Sequence, residues 1–190
     1  MNPRRLLWLC ALLAGLWLIW PALRPSAPVP GAPQPLASGA WRVDQFTLTA
    51  LEPFALEGRV LGREDYRFDP GARLSPTDLV MGWGPMADPQ VLQHLRISQS
   101  NRWYFWRAES LPIPRREIET HSANMHFIPA NAAAAAALAN TRSGQRIRFS
   151  GQLVSVQGDD GFTWVSSRTR DDTGNGACEL IWLEQLTPLE

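Results

Sequence analysis

Apolar and polar positions alternate along most of this chain at the period of a β-strand. In FTLTALEPFALEGRVL, residues 46–61, Phe46, Leu48 and Ala50 recur every second position; beyond Pro53 the apolar set resumes with Phe54, Leu56, Val60 and Leu61. The run IRFSGQLVSV, 147–156, alternates through Ile147 and Phe149, then continues past Gly151 to Leu153 and Val154. Both stretches follow one template: apolar, x, apolar, x, Gly, x, apolar, apolar. A glycine inside a strand marks a bulge or sharp bend, which lets a long strand serve two sides of a small barrel.

Further strands follow from turn chemistry. Gly158-Asp159-Asp160-Gly161 is a strong turn signal, with FTWVSS (162–167) as the return strand. ACELIWLEQL, from 177, is apolar on both faces and predicts a central or barrel-closing strand. RWYFW, 102–106, reads as an aromatic strand. Helical signals are short. Ser75-Pro76-Thr77-Asp78 predicts a cap with proline at the first helical position, and Asp88-Pro89 repeats it before QVLQHL. Asn131 caps the alanine run AAAAAALAN. The expected fold class is mainly β with short helices (α+β): a small antiparallel barrel with helices inserted. Its glycine-bent strands resemble the opening strands of OB-type barrels.

The pattern breaks at the start of the chain. LLWLCALLAGLWLIWPAL, 6–23, carries no charged side chain. At about 1.5 Å per residue it reaches roughly 27 Å, enough for a hydrocarbon core. Alanines at 27 and 32 are each followed by proline, which hinders cleavage, so the segment is read as an uncleaved signal-anchor rather than a removed leader. Arg4 and Arg5 before it outweigh Arg24 after it, which places the N-terminus in the cytoplasm and the bulk outside. The expected location is a bacterial inner membrane, crossed once, with the C-terminal domain in the periplasm. Residues 24–40 hold five prolines (25, 28, 30, 33 and 35) and predict an extended spacer. Residues 41–190 form one globular domain.

Composition narrows the partners. Setting aside Arg4, Arg5 and Arg24, the 18 basic residues leave 15 against 18 acids, which disfavours nucleic acid. Cys10 lies in the membrane segment, so Cys178 lacks a disulfide partner within the outer domain and is read as buried or reactive. No cofactor motif is present.

Four stretches carry candidate chemistry. HSANMHFIPAN, 121–131, holds His121 and His126, which point to opposite faces on a strand or converge in a loop. A metal site built on them would need Asp171, Asp172, Glu179 or Cys178, at spacings that match no zinc signature. The favoured reading is a loop turning toward Pro129 and the alanine helix. Cys178 with His121 or His126 could form a nucleophile–base pair, set against a buried structural cysteine. TRDDTGNG offers Asp171 and Asp172 as oxygen ligands for a hard cation, against an ordinary Asx-rich turn. GWGPMAD and RWYFWR supply Trp83, Trp103, Tyr104, Phe105 and Trp106, flanked by Arg102 and Arg107, as a stacking surface or as core.

Taken together, GWGPMAD, RWYFWR, HSANMHFIPA and DDTGNGACEL resemble segments of a group of small membrane-anchored bacterial proteins with no assigned activity. The resemblance implies an anchored placement and supplies no catalytic residues. The expected function is a membrane-tethered periplasmic binding or scaffolding domain that contacts an envelope protein or cell-wall component through an aromatic surface. The alternative is an envelope hydrolase or transferase using His121 or His126 with Cys178 or with Asp171 and Asp172.

Overall fold

A computed structural model of the chain describes residues 33–169 and 178–190. The uncharged stretch 6–23, most of the spacer and the Asp171–Asp172 pair lie outside these residues. Among the described residues no helix is long and apolar enough to cross a membrane.

The fold is mainly β with a few short helices. The first strands are β1 (Gln34–Ala37), β2 (Ala40–Val43), the 20-residue β3 (Phe46–Asp65) and β4 (Thr77–Gly82). A 3-10 turn (Gly84–Ala87) and α1 (Pro89–Leu92) lead to the hairpin β5 (Arg96–Ser100) and β6 (Trp103–Arg107). Then come α2 (Arg115–Thr120), β7 (Ser122–Pro129) and α3 (Ala132–Asn140). The chain returns through β8 (Arg146–Gly158), β9 (Thr163–Val165) and β10 (Glu179–Leu189). The main sheet runs β1-β2-β3-β4-β7-β10-β8-β9, and β8 also pairs with β3, so β3, β4, β7, β10 and β8 make a closed circuit of ladders. Within it the β7–β10 ladder is parallel, where an antiparallel arrangement was expected.

The two template glycines sit where the circuit needs them. Gly58 is paired with Ile147 of β8 just before β3 turns to β4 at Arg59↔Gly82, and a Cβ there would stand 2.6 Å from the Gly82 carbonyl oxygen. Gly151 faces Leu183 beside the bulge between Leu183 and Gln185 of β10, and a Cβ on it would collide with the Trp182 carbonyl. Only glycine permits backbones to approach this closely.

One buried cluster draws Val60, Leu79, Met81, Met125, Phe127, Ile147, Phe149, Ile181 and Leu183 from all five circuit strands, together with Ala134 and Leu138 of α3. A second gathers Val43, Phe46, Leu48, Leu74, Ile128, Val154, Leu180 and Trp182 on the other side of the same strands. Covered on both faces, β4 and β7 are buried at every residue.

Three local expectations are corrected. The Ser75-Pro76-Thr77-Asp78 signal does not start a helix: Thr77–Gly82 is β4, flanked by β3 and β7. HSANMHFIPAN is not a loop, because Ser122–Pro129 is the central strand β7. The ladder also begins inside the proline-rich stretch, since Gln34 pairs with Arg42 and Pro35 with Trp41 on the sheet's edge, where proline is tolerated.

Candidate functional site

The two buried clusters divide the side chains of β4, β7 and β10 by alternation. Leu79, Met81, Met125 and Phe127 face one way; Asp78, Asn124 and His126 face the other, beneath the β5–β6 hairpin and the loop after β3. Asp78 is fully buried and lies opposite His126 across the β4–β7 ladder, with its Oδ1 2.8 Å from His126 Nδ1. The same carboxylate accepts from Arg102 Nη1 at 2.7 Å and Asn124 Nδ2 at 3.2 Å. The Asp78–His126 contact is close but out of line, so Nδ1 is buried without a properly directed hydrogen bond.

Arg102 organises the rest. It follows Asn101 in the hairpin turn, and both residues adopt left-handed backbone angles, φ 68° for Arg102 and 52° for Asn101. That geometry suits a two-residue hairpin turn but costs an arginine about 1 kcal/mol or more. The side chain's contacts offset it. Nη2 donates to both oxygens of Asp69 at 2.9 Å, and Nη1 also donates to the Ser75 carbonyl at 2.9 Å. The guanidinium lies 3.8 Å from the centroid of the Tyr66 ring and 5.5 Å from that of Trp164. The Arg102 backbone N–H donates to the Tyr66 hydroxyl at 2.9 Å. Burial, helped by the Asp78 charge, pushes the Tyr66 phenol up to about 12.

Above this charged floor opens a cleft of about 600 Å³, lined by Asp69, Arg102, Trp103, His126, Trp164 and Cys178 among others. Its aromatic wall is continuous: Phe162 lies edge-on to Trp164 at 6.2 Å, and Trp164 is 4.7 Å from the His126 ring. In the lining Val165 is 59% exposed, and Phe68, next in sequence to the lining residue Asp69, is 99% exposed. Phe68 thus leaves a phenyl ring in water beside the residue that pairs with Arg102.

The predicted site residues separate. Arg102, Trp103, His126 and Cys178 meet at the cleft. His121 does not: it caps α2, with Nδ1 3.0 Å from the Glu117 carbonyl and its ring 6.3 Å from Trp83. Trp83 packs on the first core cluster. Tyr104 bonds Ser122 Oγ at 2.9 Å, and burial raises its phenol pKa. Trp106 carries Arg115 over its ring at 4.9 Å, Arg107 lines a separate polar pocket with Glu109, and Phe105 is 52% exposed. The strand RWYFW therefore sends Trp103 to the cleft and spends its other aromatics elsewhere. Among the described residues no group of three or more His, Cys, Asp and Glu side chains could hold a metal ion.

Sequence reasoning missed Asp78, Asp69, Tyr66, Phe68 and Trp164. A signal for Asp78 was present: a lone carboxylate heading the apolar run DLVMG needs a counter-charge once that run is buried.

No protein-family model matches the chain and no curated protein is significantly similar to it.

Proposed function

We propose that this is a membrane-tethered binding domain of the bacterial envelope, built on an OB-type barrel, that holds an envelope protein or cell-wall component in the cleft walled by Trp103, Phe162 and Trp164. The barrel reading is supported by the circuit β3-β4-β7-β10-β8-β3, with a helix between its third and fourth strands in chain order. OB-type barrels bind ligands between the loop after the first strand and the loop before the last. Here the first loop is 66–76, with Phe68 and Asp69, and the described part of the second connection, after β8, carries Phe162 and, in β9, Trp164. The tether rests on the uncharged stretch 6–23 and the arginines before it.

The observation that carries the reading is the cleft walled by Trp103, Phe162 and Trp164, with the exposed Val165 in its lining and the wholly exposed Phe68 next in sequence to its residue Asp69. Charge argues for the ligand class. Among the described residues of the floor, Arg102 is paired with both Asp69 and Asp78, which leaves its charge spent and not available to a phosphate. Planar and apolar groups, such as sugar faces or peptide side chains, suit such walls.

The test is photo-crosslinking in intact cells from positions 68 and 165, with position 111 as an exposed control outside the cleft. One shared adduct from 68 and 165, lost with Trp103→Ala plus Trp164→Ala and missing at 111, is expected. No adduct at 68 and 165, or the same adduct at 111, rejects the cleft as the binding site. Recovery of the full-length chain from cytosol without detergent rejects the tether.

A further inference from the structure

Cys178, just before β10, and His126 of the neighbouring strand β7 line one cleft. The parallel ladder pairs Leu180 with His126 and Glu179 with Met125, which brings Cys178 level with Asn124. The contacts agree, since Asn124 Nδ2 donates to the Arg102 carbonyl at 2.8 Å and Cys178 Sγ approaches the same oxygen at 4.0 Å. Cys178 thus lies diagonally from His126 along the ladder, and both residues line the same cleft. His126 is 2% exposed, yet its ring lines the cleft. Its Nδ1 faces Asp78 Oδ1, which leaves Nε2 for the cleft side. A carboxylate beside Nδ1, an imidazole and a thiol lining one cleft are the three groups that activate a nucleophile in acyl transfer, where closing up in the loaded site aligns them.

We infer that the cleft carries a reactive thiol, with Cys178 as nucleophile, His126 as its base and Asp78 as the residue positioning the imidazole. The inference rests on the cleft being the binding site proposed above, and it gives that site a substrate class: an acyl compound whose planar or apolar part lies against Trp103 and Trp164. The Cys178 thiol proton passes to His126 Nε2 as Sγ forms a bond to the carbonyl carbon. The bond from that carbon to the leaving group breaks, and the leaving group takes the proton from Nε2. Water then cleaves the thioester, releasing the acid and restoring the thiol. Asp78 stabilises the imidazolium formed between these steps. Arg102 Nε, buried without an acceptor, is an unspent donor on the same cleft.

The test uses the full-length chain in detergent with Cys10→Ser, so that Cys178 is the thiol followed. Iodoacetamide at pH 7 should alkylate folded Cys178 about tenfold faster than Cys178 in the urea-unfolded chain, the gain expected when a base raises the thiolate fraction. His126→Gln should remove that advantage while the tryptophan emission of the fold is kept. With p-nitrophenyl acetate as probe, one equivalent of nitrophenolate should appear in a burst, leaving an acetyl group on Cys178. Alkylation slower in the folded chain than in the unfolded one overturns the inference, and that comparison needs no variant. Failure here is distinct from failure of the binding reading. A slow thiol with the 68/165 adduct intact removes only the chemistry; a fast thiol without the adduct removes only the partner.

Discussion

At the scale of single residues, Asp78 sets the terms. A fully buried carboxylate survives only if its charge is matched, and here Arg102, Asn124 and His126 converge on it. Arg102 in turn holds the hairpin turn, the 66–76 loop and the cleft floor together. Arg102→Met should therefore destabilise the fold by about 3–5 kcal/mol, since it strands the Asp78 charge. Urea unfolding measures this. Adding Asp78→Asn should recover part of the loss, because a neutral amide needs no counter-charge. If the single variant unfolds at the wild-type midpoint, Asp78 is not held as a buried anion.

At the scale of elements, local signals decided the outcome where nothing larger opposed them. The Asn131 side chain accepts from the Ala134 N–H at 2.9 Å and caps α3 as its position before the alanines predicts. Asn131→Ala should cost about 1 kcal/mol, and Asn131→Asp should cost much less, both read from thermal or urea midpoints. Equal losses in both would show that the cap is not what matters at this position. The strands at 46–61 and 147–156 were legible because their alternation matched one buried face. β7 was hidden by its second face. Ala123, Met125 and Phe127 alternate with Ser122, Asn124 and His126, a clean period of two, but polar side chains every second residue read as solvent-facing or loop. They are buried because the hairpin covers them: Gln99 Nε2 donates to Asn124 Oδ1 at 2.9 Å, and Tyr104 meets Ser122. β4 was misread for a related reason. A proline-led cap is a local preference, and pairing on both sides overrides it. The candidate site was legible only in pieces, since Arg102, Trp103, His126 and Cys178 are brought together by ladder register that no spacing in the chain encodes.

For the whole molecule, pH shows how the charged periphery and the half-buried phenols differ. Tyr66 and Tyr104 are the two tyrosines of the chain, and burial raises both above the ordinary value. Their contribution is intact below about pH 10 and, for Tyr66, is lost as pH climbs toward 12. Phenolate absorbance should stay flat through pH 10 in the folded chain and rise there in the unfolded chain; ordinary ionisation of both phenols in the folded state would contradict their burial. On the acid side the sign reverses. Arg42 lowers the Asp159 pKa and Arg148 and Arg146 lower that of Glu57. The stability these pairs add is present above the ordinary carboxylate range and fades as pH falls through the lowered values. Both pairs are exposed, so salt should flatten this acid slope in a plot of melting temperature against pH.

The place of β10 has a consequence for timing. Residues 179–189 fill the gap between β7 and β8, strands that have no ladder with each other. Until this later segment emerges from synthesis, the one ladder that joins the halves among the described residues is β3–β8. Closure of the circuit therefore waits on β10, the latest in chain order of its five strands.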